Sequence, residues 1–297
     1  MTALPATSPR HQFFSFGRVW AIASNSLLEL VRLKVFYFLV LFAFVIIGIS
    51  FFASNLKIHE QFQVLKDVSL GGMSIFSWLL AVLATAMLLP KDIEDRTLYT
   101  ILAKPVPRFE YLLGKFLGIV MLLFIAISLM SAFFVVILYF RERAALAEAV
   151  ITTPPEFLAG ELAAIKTGAF NANLLPGIIL IYTKAILCAA LTLLVSTFAS
   201  SSIFTIIVSV IVYVIGHVQP VARAAYLDSE NTTALMKSFF SAVALLVPDL
   251  TSLSLVDDIV VGNAIPFALF VKTMALGGTY IGVYFLVAFL IFGGKEL

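Results

Sequence analysis

The sequence predicts an all-α, polytopic membrane protein, and two observations carry that reading. First, five apolar runs, Val35–Leu56, Val68–Pro90, Phe116–Phe140, Ala185–Ala222 and Thr273–Gly294, contain no Asp, Glu, Lys or Arg. Second, 62% of the 297 residues are hydrophobic and only 12% are charged, about half the charged share of a soluble domain. A helix rises about 1.5 Å per residue, so about 20 apolar residues cross a hydrocarbon core of about 30 Å. Four runs each fit one crossing. The run 185–222 would reach about 57 Å as a single helix, which suits two crossings. Its expected break is the hydroxyl-rich stretch 196–202, where Ser and Thr favour a turn.

The expected architecture is therefore one membrane domain over 1–297 with six spans, at 35–56, 68–90, 116–140, 177–198, 203–220 and 273–294. No cluster of cations suggests nucleic acid. The single cysteine, Cys188, excludes an intrachain disulfide, and three scattered histidines give no metal-ligand spacing. With the N- and C-termini placed on the cytoplasmic side of the cell (inner) membrane, the cytoplasmic segments hold ten cations. The longer outer segments hold eight, and the bias is clearest beside the first three spans.

Residues 13–34 read as an amphipathic helix on the inner membrane surface. Arg18, Asn25, Glu29 and Arg32 fall on one arc, opposite Phe16, Val19, Trp20, Ala23, Leu27 and Leu30. Residues 1–12, with two prolines, read as disordered. On the outer side, 141–175 is expected to be helical through Ala144–Val150 until Pro154-Pro155 stops it. The stretches Ser238–Val247 and Ile259–Val271 are too short to cross, so 238–271 is expected to form re-entrant helices before the last span.

Small residues mark candidate helix contacts: Gly114 with Gly118, Gly278 with Gly282, and the fourfold spacing of Thr192, Ser196 and Ser200. Lys184 is the one charge inside an expected span, a candidate functional group whose stem is also long enough to snorkel outward. His217 and Gln219 read as an interfacial polar cap, and Asp257-Asp258 as a solvated turn.

The most informative segment is the cytoplasmic loop 91–115. Together with Pro90 it holds nine charges in 26 residues. Asp92 is placed to cap a short helix, with Glu94 and Asp95 in its first turn. Leu98, Ile101 and Leu102 form an apolar stripe, and Lys104-Pro105 ends the helix. Pro107 is placed to start the next one. Such a stripe can rest on lipid or fit the groove of a soluble partner.

With its flanking spans, this loop resembles the signature of ABC transporter permeases of the six-span exporter class, the second type of ABC permease. The matching residues are Glu94, Thr97-Leu98, Lys104-Pro105-Val106, Arg108 and Leu113-Gly114-Lys115. Arg96 stands where glycine is usual and Pro107 where serine is usual. The resemblance implies a coupling helix held in a cleft of a separate ABC ATPase subunit, which would bind ATP and Mg. It also implies a second permease subunit, a copy or a similar chain. On this reading Glu94, Arg96, Leu98, Tyr99, Ile101, Leu102 and Arg108 face the ATPase. This chain is then not itself an enzyme and binds no cofactor. It has no G-x-x-x-x-G-K-[ST] sequence, since Gly114-Lys115 precedes Phe116 and Gly294-Lys295 precedes Glu296. The rival expectations are an ion-driven secondary transporter and an intramembrane enzyme.

Overall fold

The computed structural model describes residues 14–50, 58–94, 107–199, 201–226, 233–254, 256–261 and 265–294. Helix accounts for 90% of the structure, and no strand occurs among the described residues. In chain order the helices are α1 (Phe16–Val31), α2 (Lys34–Ser50), α3 (Ile58–Glu94), α4 (Arg108–Thr152) and α5 (Pro155–Ala169). They continue with α6 (Leu174–Phe198), α7 (Ser202–Tyr226), α8 (Ala234–Leu246), α9 (Val256–Val261) and α10 (Phe267–Gly294).

Among the described residues, five stretches are long and apolar enough to cross a membrane: Gln61–Leu88, Arg108–Thr152, Pro155–Phe198, Ser202–Arg223 and Phe267–Gly294. A sixth arises if α1 and α2, which meet at 65° around Arg32 and Leu33, count as one broken span. The chain is thus a multi-pass, membrane-embedded helical protein.

The helix ends differ from the sequence expectation in three places. α3 starts at Ile58, so nearly all of the connection between the expected spans 35–56 and 68–90 is helix, and it runs through Pro90 and Asp92 to Glu94. Asp92 therefore does not start a separate helix; its backbone continues α3. Residues 144–150 are helical as expected, but as the continuation of the third span, because α4 runs unbroken from Arg108 to Thr152. Nothing between Phe140 and Thr152 breaks it: Arg141–Ala149 is rich in Ala, Glu and Arg, all strong helix formers. Pro154 and Pro155 then separate α4 from α5. Residues 1–12 and 51–57 lie outside the described residues.

α3 and α6 form the centre. α3 touches α2, α4, α6, α7 and α9, while α6 packs on α3, α4, α7 and α10. In the apolar window that ends in α6, 67% of residues are buried by the protein, against 22% in α7 and in α10. The outer faces of α7 and α10 are thus left to lipid or to another chain. In lipid there is little hydrophobic drive between helices, so close packing through small residues does more of the work. Gly177 of α6 meets Ile259 of α9, Gly216 of α7 meets Leu250 and the Pro248 carbonyl, and Gly277 of α10 meets Thr183 of α6. Thr192 and Ser196 are fully buried on α6, but their hydroxyls bond the Cys188 and Leu193 carbonyls of their own helix. Ser200 lies outside the described residues.

The region 238–271 folds as α8, a turn held by Asp249, and α9. Asp249 accepts the Thr251 and Ser252 N–H groups at 2.9 and 3.1 Å. Leu250, Leu253 and Ile259 plug back into the core.

Candidate functional site

The first two turns of α4 form a junction between helices distant in sequence. Pro107 precedes the helix with extended backbone, φ −58° and ψ 136°, and Arg108 begins it. Glu110, in the first turn, is completely buried. Arg18 of α1 grips it with two prongs, Nε to Oε2 at 2.6 Å and Nη2 to Oε1 at 2.9 Å. The Ser15 backbone N–H adds a third bond to Oε1 at 2.7 Å. Three charge-assisted bonds satisfy a carboxylate that burial alone would make costly. Glu110 lies six residues ahead of the charge-free run that begins at Phe116. The Arg18 hydrogen bond first, and the Ser15 N–H with it, hold its carboxyl below the usual carboxylate range.

One turn further, Lys115 stands 3.6 Å from Glu29, a second bond between α4 and α1. Between these two pairs the helix backbones almost touch. A Cβ on Gly114 would lie 2.7 Å from Ile22, and one on Gly118 would lie 2.7 Å from Ser26 Cβ and 2.9 Å from the Ala23 carbonyl. Glycine at both positions is what lets α1 lie this close along α4. The contact uses half of the apolar side of α1, with Val19, Ala23 and Leu30 buried. Phe16 and Trp20 stay 69% and 53% exposed, available to the membrane interface.

α10 joins from the other side. Arg108 Nη1 donates to the Gly293 carbonyl at 2.6 Å and to the Phe292 carbonyl at 3.3 Å, capping the helix end where the dipole favours a cation. Tyr111 stacks on Phe292 at 6.0 Å, and Phe109 sets its edge to Phe285 and Phe289 at 6.0 and 5.2 Å.

Of the residues expected to face an ATPase, Arg108 alone has a described side chain, and it bonds the end of α10. Glu94 closes α3. Arg96, Leu98, Tyr99, Ile101 and Leu102 lie outside the described residues. Gly114 and Gly118 meet α1, whereas a Cβ on Gly278 or Gly282 would find nothing within 4 Å. The buried face of α10 runs through Thr273, Gly277, Tyr284, Ala288 and Phe292, so the pair at 278 and 282 faces outward. Glu110 and Arg18 were not singled out as a pair from the sequence. The available signal was a first-turn acid after Pro107 facing the one cation early in an apolar helix.

Lys184 does not snorkel: it is 5% exposed and its Nζ lies 3.1 Å from His217 Nε2. His217 Nδ1 is 3.1 Å from the Tyr213 carbonyl, so a neutral ring protonated at Nδ1 donates there and accepts from the ammonium through Nε2. The Tyr213 ring lies under Lys184 at 5.9 Å and stacks on Trp78 at 3.7 Å. His217 is thus the inner partner of a buried cation rather than an interfacial cap. Among the described residues no group of three or more His, Cys, Asp or Glu could hold a metal ion.

The chain matches no protein-family model and no curated protein.

Proposed function

We propose that this chain is the membrane-spanning permease subunit of an ATP-driven ABC exporter, seated in the cell (inner) membrane with both termini cytoplasmic. The observation that carries the reading is the junction at the start of α4. The segment 91–115, which resembles a coupling helix in sequence, leads directly into a helix clamped to α1 through Glu110 and to α10 through Arg108. A partner that moves the start of α4 would move α1 and α10 with it through these two clamps. ATP and Mg belong to a separate ABC ATPase subunit, and Leu98, Ile101 and Leu102 supply the stripe that enters its cleft. The outward-facing Gly278 and Gly282 of α10 suit close packing against a second permease, either a copy or a similar chain.

The test is capture of the tagged full chain from its native membrane, with co-purified proteins identified by mass spectrometry. An ATPase carrying a Walker A sequence is expected, and it is expected to be lost in the double variant Leu98→Asp/Ile101→Asp while membrane insertion is unchanged. Capture of the same ATPase by the double variant, or of none by the native chain, would overturn the reading.

One observation favours a second reading, an ion-driven secondary transporter: Lys184 and His217 place two titratable groups together inside the helix bundle. In that case the captured chain carries no ATPase, and transport follows an ion gradient.

A further inference from the structure

A cavity of about 300 Å³ lies where α3, α5 and α9 meet, lined among others by Phe62, Gln63, Lys66, Thr167, Asn171 and Val260. It sits at the end of the bundle away from Glu110. Gln61, one turn from Lys66, accepts a hydrogen bond from Arg141 at 2.8 Å, and Arg141 is about 46 Å along α4 from Glu110.

Lys66 is the unusual member of the lining. Only 2% of it is exposed, yet among the described residues its ammonium has one hydrogen-bond partner, the Gly168 carbonyl at 2.5 Å. Among the described residues no carboxylate pairs with it, and its neighbour Asp67 is exposed on another face of α3. An ammonium carries three donors, so two remain to be used. A buried charge without a counter-charge is costly, and the cost is removed when an anion arrives. Gln63, one turn earlier on the same helix, also makes no hydrogen bond among the described residues and lines the same space. The remaining groups are already committed: Asn171 Nδ2 donates to the Ile259 carbonyl and Thr167 Oγ1 to the Ala163 carbonyl. Phe62 and Val260 make much of the rest apolar. The volume is at the small end of the range for ligand pockets.

We infer that this cavity binds an amphipathic anion, with the carboxylate or phosphate head on Lys66 and Gln63 and the short apolar body against Phe62 and Val260. The reading is independent of what powers the chain. Headless alcohols of the same length lack the group that Lys66 needs, and inorganic phosphate lacks the body that the apolar wall needs.

The buried, single Cys188 supplies the assay, because a thiol-reactive fluorophore reports when unfolding exposes it. The full chain in a neutral maltoside detergent is heated with increasing octanoate, octyl phosphate, octanol or inorganic phosphate. Octanoate or octyl phosphate is expected to raise the unfolding midpoint saturably, and whichever does so identifies the head group. Octanol and inorganic phosphate are expected to leave it unchanged. Lys66→Met is expected to weaken the response by about thirtyfold or more in concentration. An equal response to octanol or to inorganic phosphate, an undiminished response in Lys66→Met, or no saturable shift with either amphiphile would overturn the inference. Should Lys66→Met not fold, the contrast between octanoate or octyl phosphate and octanol on the native chain decides alone.

Discussion

Arg18 and Glu110, 92 residues apart, meet in a two-pronged ion pair of 2.6 and 2.9 Å that fastens α1 to the first turn of α4. The two partners are not equivalent. The Glu110 side chain is 1% exposed, whereas Arg18 keeps 34% of its surface in contact with solvent. Removing Arg18 therefore leaves a buried carboxylate with only the Ser15 N–H, while removing both charges leaves only that neutral N–H to find another acceptor. Arg18→Met is expected to lower the unfolding midpoint more than the double variant Arg18→Met/Glu110→Met. Equal effects of the single and double changes, measured by the Cys188 fluorophore assay, would show that the pair does not hold α1 in place.

The same pair sets a pH dependence. The folded-state pKa of Glu110 is depressed, so its contribution is fully present above the ordinary carboxylate value of 4.5 and is lost as pH falls through the lower folded value. At neutral pH the clamp is intact. Trp20, isolated as a reporter by Trp78→Phe, is expected to change its emission on acidification only below the ordinary carboxylate range. Glu110→Gln is expected to remove that acid transition, and its persistence in the variant would assign it to another group.

Glycines at the α1–α4 contact and on the outer face of α10 are expected to respond oppositely to enlargement. Gly118→Val places side-chain atoms against Ser26 and the Ala23 carbonyl, with an expected cost of about 1–3 kcal/mol. Gly278→Leu or Gly282→Leu meets open space, so the monomer should keep its stability. If two permeases pack through that face, the α10 variants shift the chain from dimer to monomer in light scattering. A Gly278→Leu chain that remains dimeric would place the subunit contact elsewhere.

At the Lys184–His217 pair, His217→Leu leaves a buried ammonium without its acceptor, an expected loss of about 2 kcal/mol. Adding Lys184→Met removes the orphaned charge, so the double variant should recover much of that loss. Thermal unfolding of the three variants tests this, and additive losses in the double variant would show that the two side chains act separately.

What was legible in the sequence was whatever depends on neighbours along the chain. Runs such as 116–140 need only apolar composition to announce a helix in lipid, and Pro107 is a local start signal. The phase of a helix against its neighbours is a different matter. On α10 the spacing of Gly278 and Gly282 resembles a contact, but burial runs through Gly277, one residue and about 100° away. Pairing across the chain was equally hidden. Lys66 lies in sequence between two expected spans, with nothing to show that α5 and α9 close over it, and Lys184 reads as a snorkelling residue until α7 brings His217 beside it. At the start of α4, Pro107 was legible as the helix start, but Glu110, three residues on, was given no role. That its partner would come from 92 residues upstream depended on how closely two glycines let α1 approach.

The length of α4 has a mechanical consequence. Its 45 residues make a rod of about 67 Å, more than twice the depth of the oily layer it crosses. Rotation by about 5° around one tip swings the other through about 6 Å. If α4 turns as one body, a stroke that is slight near Arg108 becomes a displacement of about 4 Å at Arg141, about 50 Å along the helix and beside the Lys66 chamber.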